Sequence, residues 1–141
     1  MNSGVPNTVA NKRKQQFQKA CKEHGLRLTP QKSTIFEALA ETNTHPTAQE
    51  LYTAIQKHFP TLSFATVYKN LTLFTKKGLV QELDFGEGFK RYDAHLNEHH
   101  HIYHTSTKTV EDVILPNNTH IPLPAELSHI PLKKIHITYV V

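Results

Sequence analysis

Apolar residues recur at helical spacing through the first half of the chain. Phe17, Cys21 and His24 share one face of a segment that turns helical at Lys12 and stops at Gly25. Residues 1–11 before it are polar and aperiodic, which predicts a loose tail. Thr29 and Pro30 are a cap and a first-turn residue, and Ile35, Phe36, Leu39 and Ala40 form the apolar stripe that follows. After the polar break at 41–46, Thr47 and Glu50 read as a capping box for a helix through Leu51, Ile55 and Phe59, closed by Pro60. Ser63 caps a fourth helix with apolar positions 64, 67, 71 and 74, and Gly78 stops it. Leu79, Leu83 and Phe85 then alternate before the turn Gly86-Glu87-Gly88, and Phe89 to Asp93 returns as a second strand.

The texture changes after Asp93. Strands are predicted for His99–His104, Thr109–Leu115 and Lys133–Val141, with a turn at Pro116-Asn117-Asn118. Pro122, Pro124 and Pro131 leave room only for a short helix near 124–130. The expected fold class is α+β: an N-terminal winged helix-turn-helix followed by a small, mostly β α/β domain. The expected boundaries are a tail at 1–11, a winged-helix domain at 12–93, a hinge at 94–98 and a second domain at 99–141. Three strands with so little helix make a thin lobe, of a kind that completes its core by dimerising.

Composition narrows the function classes. The chain has 141 residues, 38% of them hydrophobic, and no Trp. No apolar run approaches the roughly 20 residues needed to cross a bilayer. The N-terminus lacks a charged head followed by an apolar stretch, so the expectation is a soluble, cytoplasmic protein without a membrane partner. The single cysteine, Cys21, excludes an intramolecular disulfide and any cysteine-only metal site within this chain; lying on the apolar face with Phe17, it reads as core rather than as a redox sensor. Residues 1–91 carry 13 Lys and Arg against 7 Asp and Glu, whereas 92–141 carry 3 against 5. A basic first part points to a polyanion partner.

The fourth helix sharpens that to DNA. Between its apolar positions it exposes Thr66, Lys69, Asn70 and Thr72, side chains suited to phosphates and base edges, and Lys90 and Arg91 follow the hairpin turn. Lys12, Arg13 and Lys14 of the basic first helix, Arg27, and Ser63 and Tyr68 on the fourth helix complete the expected DNA-facing set. The plainer alternative is a small helical domain with a solvated basic surface. As a two-fold homodimer, such a protein would read a palindromic operator on double-stranded DNA, with half-sites about 34 Å or a multiple apart.

Eleven histidines are present, and His99, His100, His101 and His104 fall within six positions. On a strand, His99 and His101 point one way with Tyr103, and His100, Ile102 and His104 the other. Two imidazoles at i, i+2 clip one divalent ion weakly, so further donors are required; Asp93, Glu98, Glu111, Asp112, His45 and His95 are the candidates. Mixed N and O donors suit Fe(II), Mn(II) or Zn(II) more than copper. The alternative is a histidine run with no more affinity than a fragment of a tag. No His-Glu-x-x-His is present, which makes a metal hydrolase the weakest option and a non-enzyme the expectation.

The chain resembles the ferric uptake regulator family of dimeric, metal-sensing repressors. The resemblance is carried by Gly25-Leu26-Arg27-Leu28-Thr29-Pro30-Gln31, His45-Pro46-Thr47-Ala48, Ser63-Phe64-Ala65-Thr66-Val67-Tyr68-Lys69-Asn70-Leu71, Gly78-Leu79-Val80, Arg91-Tyr92-Asp93 and His99-His100-His101. Within the family the sequence is most similar to the peroxide-sensing branch. That resemblance implies a regulatory ion held by His45, Asp93, His99, His101 and Asp112, with Fe(II) or Mn(II) the expected ion and Zn(II) an alternative. It also implies that Fe(II) and hydrogen peroxide together oxidise His45 or His99 and release the repressor from its operator. Relatives carry two Cys-x-x-Cys pairs for a structural zinc; here the first falls on His104 and Thr107 and the second would lie past Val141, so no four-cysteine zinc is expected in this chain. Two other readings remain: a sensor of iron, zinc or manganese availability using the same donors, and a histidine-rich metal-binding protein without DNA function.

Overall fold

The computed structural model describes residues 4–141. They form two compact units, one running to Leu96 and the other from Asn97 to Val141.

The first unit contains four helices, α1 (Asn7–Glu23), α2 (Pro30–Ala40), α3 (Ala48–Gln56) and α4 (Phe64–Lys76), and a hairpin of β1 (Gln81–Asp84) and β2 (Lys90–Asp93). Helix α1 starts five residues earlier than the sequence pattern suggests, because Ala10 and Arg13 extend the buried stripe of Phe17 and Cys21 by two further turns. From Gly4 onward the expected tail is tied down: Gly4 bridges Thr42, and the Val5 amide donates to the Glu41 carbonyl at 3.0 Å. The rest of that expectation, residues 1–3, lies outside the described residues.

The helix starts follow their caps. The side chains of Thr29, Thr47 and Ser63 accept from the amides of Lys32, Glu50 and Thr66. The stops at Gly25 and Gly78 need left-handed backbone, with φ of +64° and +72°. In each, the following amide reaches back to the helix (Leu26 to Cys21 at 2.8 Å, Leu79 to Phe74 at 2.8 Å), a closure that a Cβ at the glycine would strain. Helix α3 ends at Gln56, so Phe59 lies in the turn after it while still packing on the core.

That core is one apolar cluster drawn from all four helices and the hairpin. Phe17 stacks on Phe36 with ring centroids 3.9 Å apart, and Phe74 meets Phe17 edge-on at 5.1 Å. Cys21 is 1% exposed, and burial pushes its thiol pKa up. A buried, protonated thiol is a poor nucleophile. Alkylation with iodoacetamide at pH 8 should therefore leave Cys21 of the native protein largely unmodified and label it fully in denaturant; rapid labelling of the native form would contradict the core assignment.

The second unit is a three-stranded sheet in the order β4-β3-β5, with β3 at His100–His104, β4 at Thr109–Val113 and β5 at Thr138–Val140. Strands β3 and β4 are antiparallel, and β5 lies parallel to β3. The last strand is shorter than the alternation from Lys133 predicts. The Ile137 amide donates to the His100 imidazole at 3.0 Å instead of entering a ladder, so strand pairing starts only at Thr138. Between Pro122 and Pro131 a single 3₁₀ turn, Ala125–Leu127, takes the place of the expected short helix. Among the described residues, no helix is long and apolar enough to cross a membrane.

Candidate metal centre and nucleic-acid face

Two groups of metal-ligating side chains stand out, one in each unit. In the first unit, His45 closes the loop before α3 and Asp93 ends β2, and His45 Nε2 lies 3.5 Å from Asp93 Oδ2. Both are buried, at 2% and 5% exposure. His45 has φ of +57°, a left-handed conformation uncommon for a residue with a side chain. Its loop is fixed to β2 on both sides: the Tyr92 amide donates to the Pro46 carbonyl at 2.9 Å, and Arg91 Nη1 donates to the His45 carbonyl at 3.1 Å. Asp93 Oδ1 accepts from the His95 amide, which leaves Oδ2 directed toward His45.

In the second unit, the register of β3 against β4 sets His101 directly across from Asp112. His99, the residue just before β3, turns its ring to the same side as His101. His99 Nε2 and His101 Nε2 lie 3.5 Å and 3.3 Å from Asp112 Oδ1, and the two rings meet edge-on at 4.7 Å. The outer nitrogens are committed. His99 Nδ1 is 2.6 Å from the Asn97 carbonyl, which can only accept, so Nδ1 carries a proton and Nε2 is the nitrogen turned toward Asp112. His101 Nδ1 lies 2.6 Å from His136 Nε2. Partial desolvation of its ring, with the nearby His101, Lys134, His100 and His99, pushes the His136 pKa down to about 4, so His136 is neutral near pH 7 and able to accept the Nδ1 proton. Two imidazole nitrogens and a carboxylate oxygen, with the outer ring nitrogens held by Asn97 and His136, fit a divalent ion of the Fe(II), Mn(II) or Zn(II) type.

His100, on the opposite face of β3, is buried but spent on the Ile137 amide, with its ring stacked on His136. His104 pairs with Glu111 at 3.2 Å on the exposed side. His136 was not among the expected site residues. Its only sequence signal is an alternating strand pattern, which does not reveal that β5 pairs with β3.

The expected DNA-facing residues divide. Lys12, Arg27, Ser63, Tyr68, Lys69, Thr72 and Lys90 are exposed, and Thr66 and Lys14 are half-buried. Lys14 pairs with Glu41 at 2.9 Å and Lys90 with Asp84 at 2.6 Å. Three residues turn inward, contrary to expectation. Arg13 lies on the core stripe of α1 and donates to the carbonyls of Ala40 and Thr42, a cation at the C-terminal end of α2. Asn70 is buried beside Leu71 and donates its amide to the Thr66 carbonyl one turn back. Arg91 is buried between Glu87 and the His45 carbonyl. Each is held by backbone or carboxylate acceptors and is turned away from a ligand at the surface.

The ferric uptake regulator family model matches residues 23–126. The peroxide operon regulator of Bacillus subtilis (strain 168) is 45% identical over 80 residues, 57% of this chain and 55% of that protein. The peroxide-responsive repressor PerR of Staphylococcus aureus (strain Mu50 / ATCC 700699) is 42% identical over 81 residues, again 57% and 55%. The chain thus matches little more than half the length of these relatives. Among solved structures, the Campylobacter jejuni peroxide stress regulator is 28% identical with a TM-score of 0.65, covering 88% of this chain and 93% of that one. The Helicobacter pylori ferric uptake regulator, at 18% identity, shares the fold over the whole chain and 93% of its own length, with a TM-score of 0.71. With the family model spanning both units, the chain belongs to the ferric uptake regulator family.

Proposed function

We propose that this chain is a metal-dependent, dimeric, DNA-binding repressor that responds to peroxide. The observation that carries the reading is the His99, His101 and Asp112 group, whose rings are held with both Nε2 atoms toward one carboxylate oxygen. Three donors leave a divalent ion short of a full coordination shell. His45 and Asp93 are the remaining two donors in the proposed set, and shared ligation of one ion is the means by which the metal would govern DNA binding. Named peroxide regulators among the relatives support the choice of signal.

Asn97 and His136 orient the inner imidazoles, and the carboxylates of Asp93 and Asp112 balance the ion's charge. Fe(II), when bound, supplies the reduction of hydrogen peroxide that places one oxygen atom on the ring of His45 or His99. A modified ring is a poorer donor, so the protein loses its grip on the ion and with it the DNA-competent state. Mn(II) would support DNA binding without that oxidation. Helix α4 presents Lys69 and Tyr68 to the major groove, and the hairpin brings Lys90 to the backbone. A dimer reads the two halves of a palindrome. The sheet of the second unit, with exposed Tyr139 and Val140 on its edge strand, is the proposed dimer surface. The cytoplasm is the proposed compartment, and Cys21, buried in the first unit, leaves this chain no four-cysteine zinc site.

Adding Mn(II) should tighten binding to operator DNA, and His99→Ala should abolish the gain; equal binding in chelator would defeat metal dependence. Fe(II)-loaded protein treated with peroxide should gain the mass of one oxygen on a peptide containing His45 or His99. Absence of that adduct, with DNA binding retained, would favour a sensor of metal availability.

A further inference from the structure

The turn between β1 and β2 is tied to the backbone of His45 through one buried side chain. Glu87 lies at the tip, between Gly86 and Gly88, where an acidic side chain would ordinarily be solvated. It instead folds back: its side chain is 4% exposed, and its two oxygens accept from Arg91 Nε and Nη2 at 2.8 Å each. The Arg91 side chain is 8% exposed, and its guanidinium lies over the Phe89 ring at 5.6 Å. The remaining nitrogen, Nη1, donates to the His45 carbonyl at 3.1 Å. A planar guanidinium can serve three acceptors at once in a fixed fork, which an ammonium cannot reproduce. The carbonyl it holds belongs to a residue in a left-handed conformation, and this contact joins the Tyr92 amide on the Pro46 carbonyl in fixing that loop.

We propose that Arg91, oriented by Glu87, is a positioning residue for the metal ligand His45, making the hairpin turn and that ligand one mechanically linked unit. This rests on the reading of His45 as a ligand. Partners that orient a ligand from outside the coordination shell affect metal affinity by about 10- to 100-fold. The same linkage connects the hairpin, the part expected beside DNA, to the ion, and such coupling is reciprocal.

The test is a double-mutant cycle read by Mn(II) affinity, from competition with a chelating dye, alongside thermal melting of the metal-free proteins. Arg91→Met should weaken Mn(II) binding by about tenfold in the otherwise native chain and have no further effect in a His45→Ala background. Arg91→Lys, which keeps the charge but not the fork, should not restore the affinity. Unchanged affinity in Arg91→Met, with a loss in His45→Ala, would overturn the proposal and leave the ligand assignment standing. Equal losses in both backgrounds would mark Arg91 as merely structural and also overturn it. No loss in His45→Ala would overturn the ligand assignment itself. Should Arg91→Met not fold, Glu87→Gln, which breaks the bidentate pair while keeping its shape, is read in the same cycle by the same criteria.

Discussion

Replacing His101 with alanine is expected to weaken Mn(II) binding by more than about 100-fold, beyond the range for loss of a supporting partner. His101 is fully buried, with Nε2 3.3 Å from Asp112, Nδ1 on His136 and its ring against His99. Removing it takes away one of the proposed donors and leaves the second unit with only His99 and Asp112 to contribute. The neighbouring variant His100→Ala is the internal comparison. His100 is equally buried, but its Nδ1 accepts the Ile137 amide. Its loss should cost about 1–3 kcal/mol of stability, from the emptied side-chain site and the unpaired, partly buried Ile137 amide, and leave Mn(II) affinity within about threefold. Chelator competition measures the first quantity and urea denaturation the second. If His101→Ala binds Mn(II) as tightly as the native chain, the second-unit site is wrong.

The largest stability effect is expected from Phe74→Ala. Phe74 is 0% exposed and meets both Phe17 and Phe36 edge-on, at 5.1 Å and 6.5 Å. Deleting a buried aromatic ring costs about 3–5 kcal/mol, against a total stability of about 5–15 kcal/mol for a domain. For a unit of this size that is a fall in Tm of roughly 12–40 °C at about 4–8 °C per kcal/mol. Phe64, on the same helix at an apolar position of the same pattern, is 40% exposed and touches Tyr52 and Tyr68 at the surface. Phe64→Ala should cost under about 1.5 kcal/mol. Urea denaturation of the two variants checks the difference; similar costs would contradict the placement of the core.

Local signals carried the helices and failed at long-range contacts. The caps Thr29, Thr47 and Ser63 and the stops Gly25 and Gly78 act within a few residues, so they are legible without tertiary information. The i, i+2 spacing of His99 and His101 is equally local, because a strand alternates its faces. Arg13 and Arg91 misled for the opposite reason. Positive charge in a basic half reads as surface, yet Arg13 sits on a helical stripe with Phe17 and ends on the carbonyls of another helix. Arg91 likewise ends on the carbonyl of His45, in a loop contributed by a distant stretch of the chain. A buried cation is tolerated only where acceptors surround it, and the acceptors come from chain folding. Asn70 shows the same on a smaller scale, spending its amide on the preceding turn.

By itself the sequence determined which segments of the first half become helix or strand, the capped starts of α2, α3 and α4 and the glycine stops of α1 and α4, and which residue types are available as donors. Periodicity, caps and turns are properties of neighbours along the chain. Tertiary structure alone decided the rest: that β5 runs parallel to β3 and brings His136 to His101, that Asp112 stands across from His101, and that Arg91 holds the loop of His45. Those pairings join residues far apart in sequence. What selects them is strand register and the need to satisfy buried polar groups, and neither leaves a mark on any short stretch of residues.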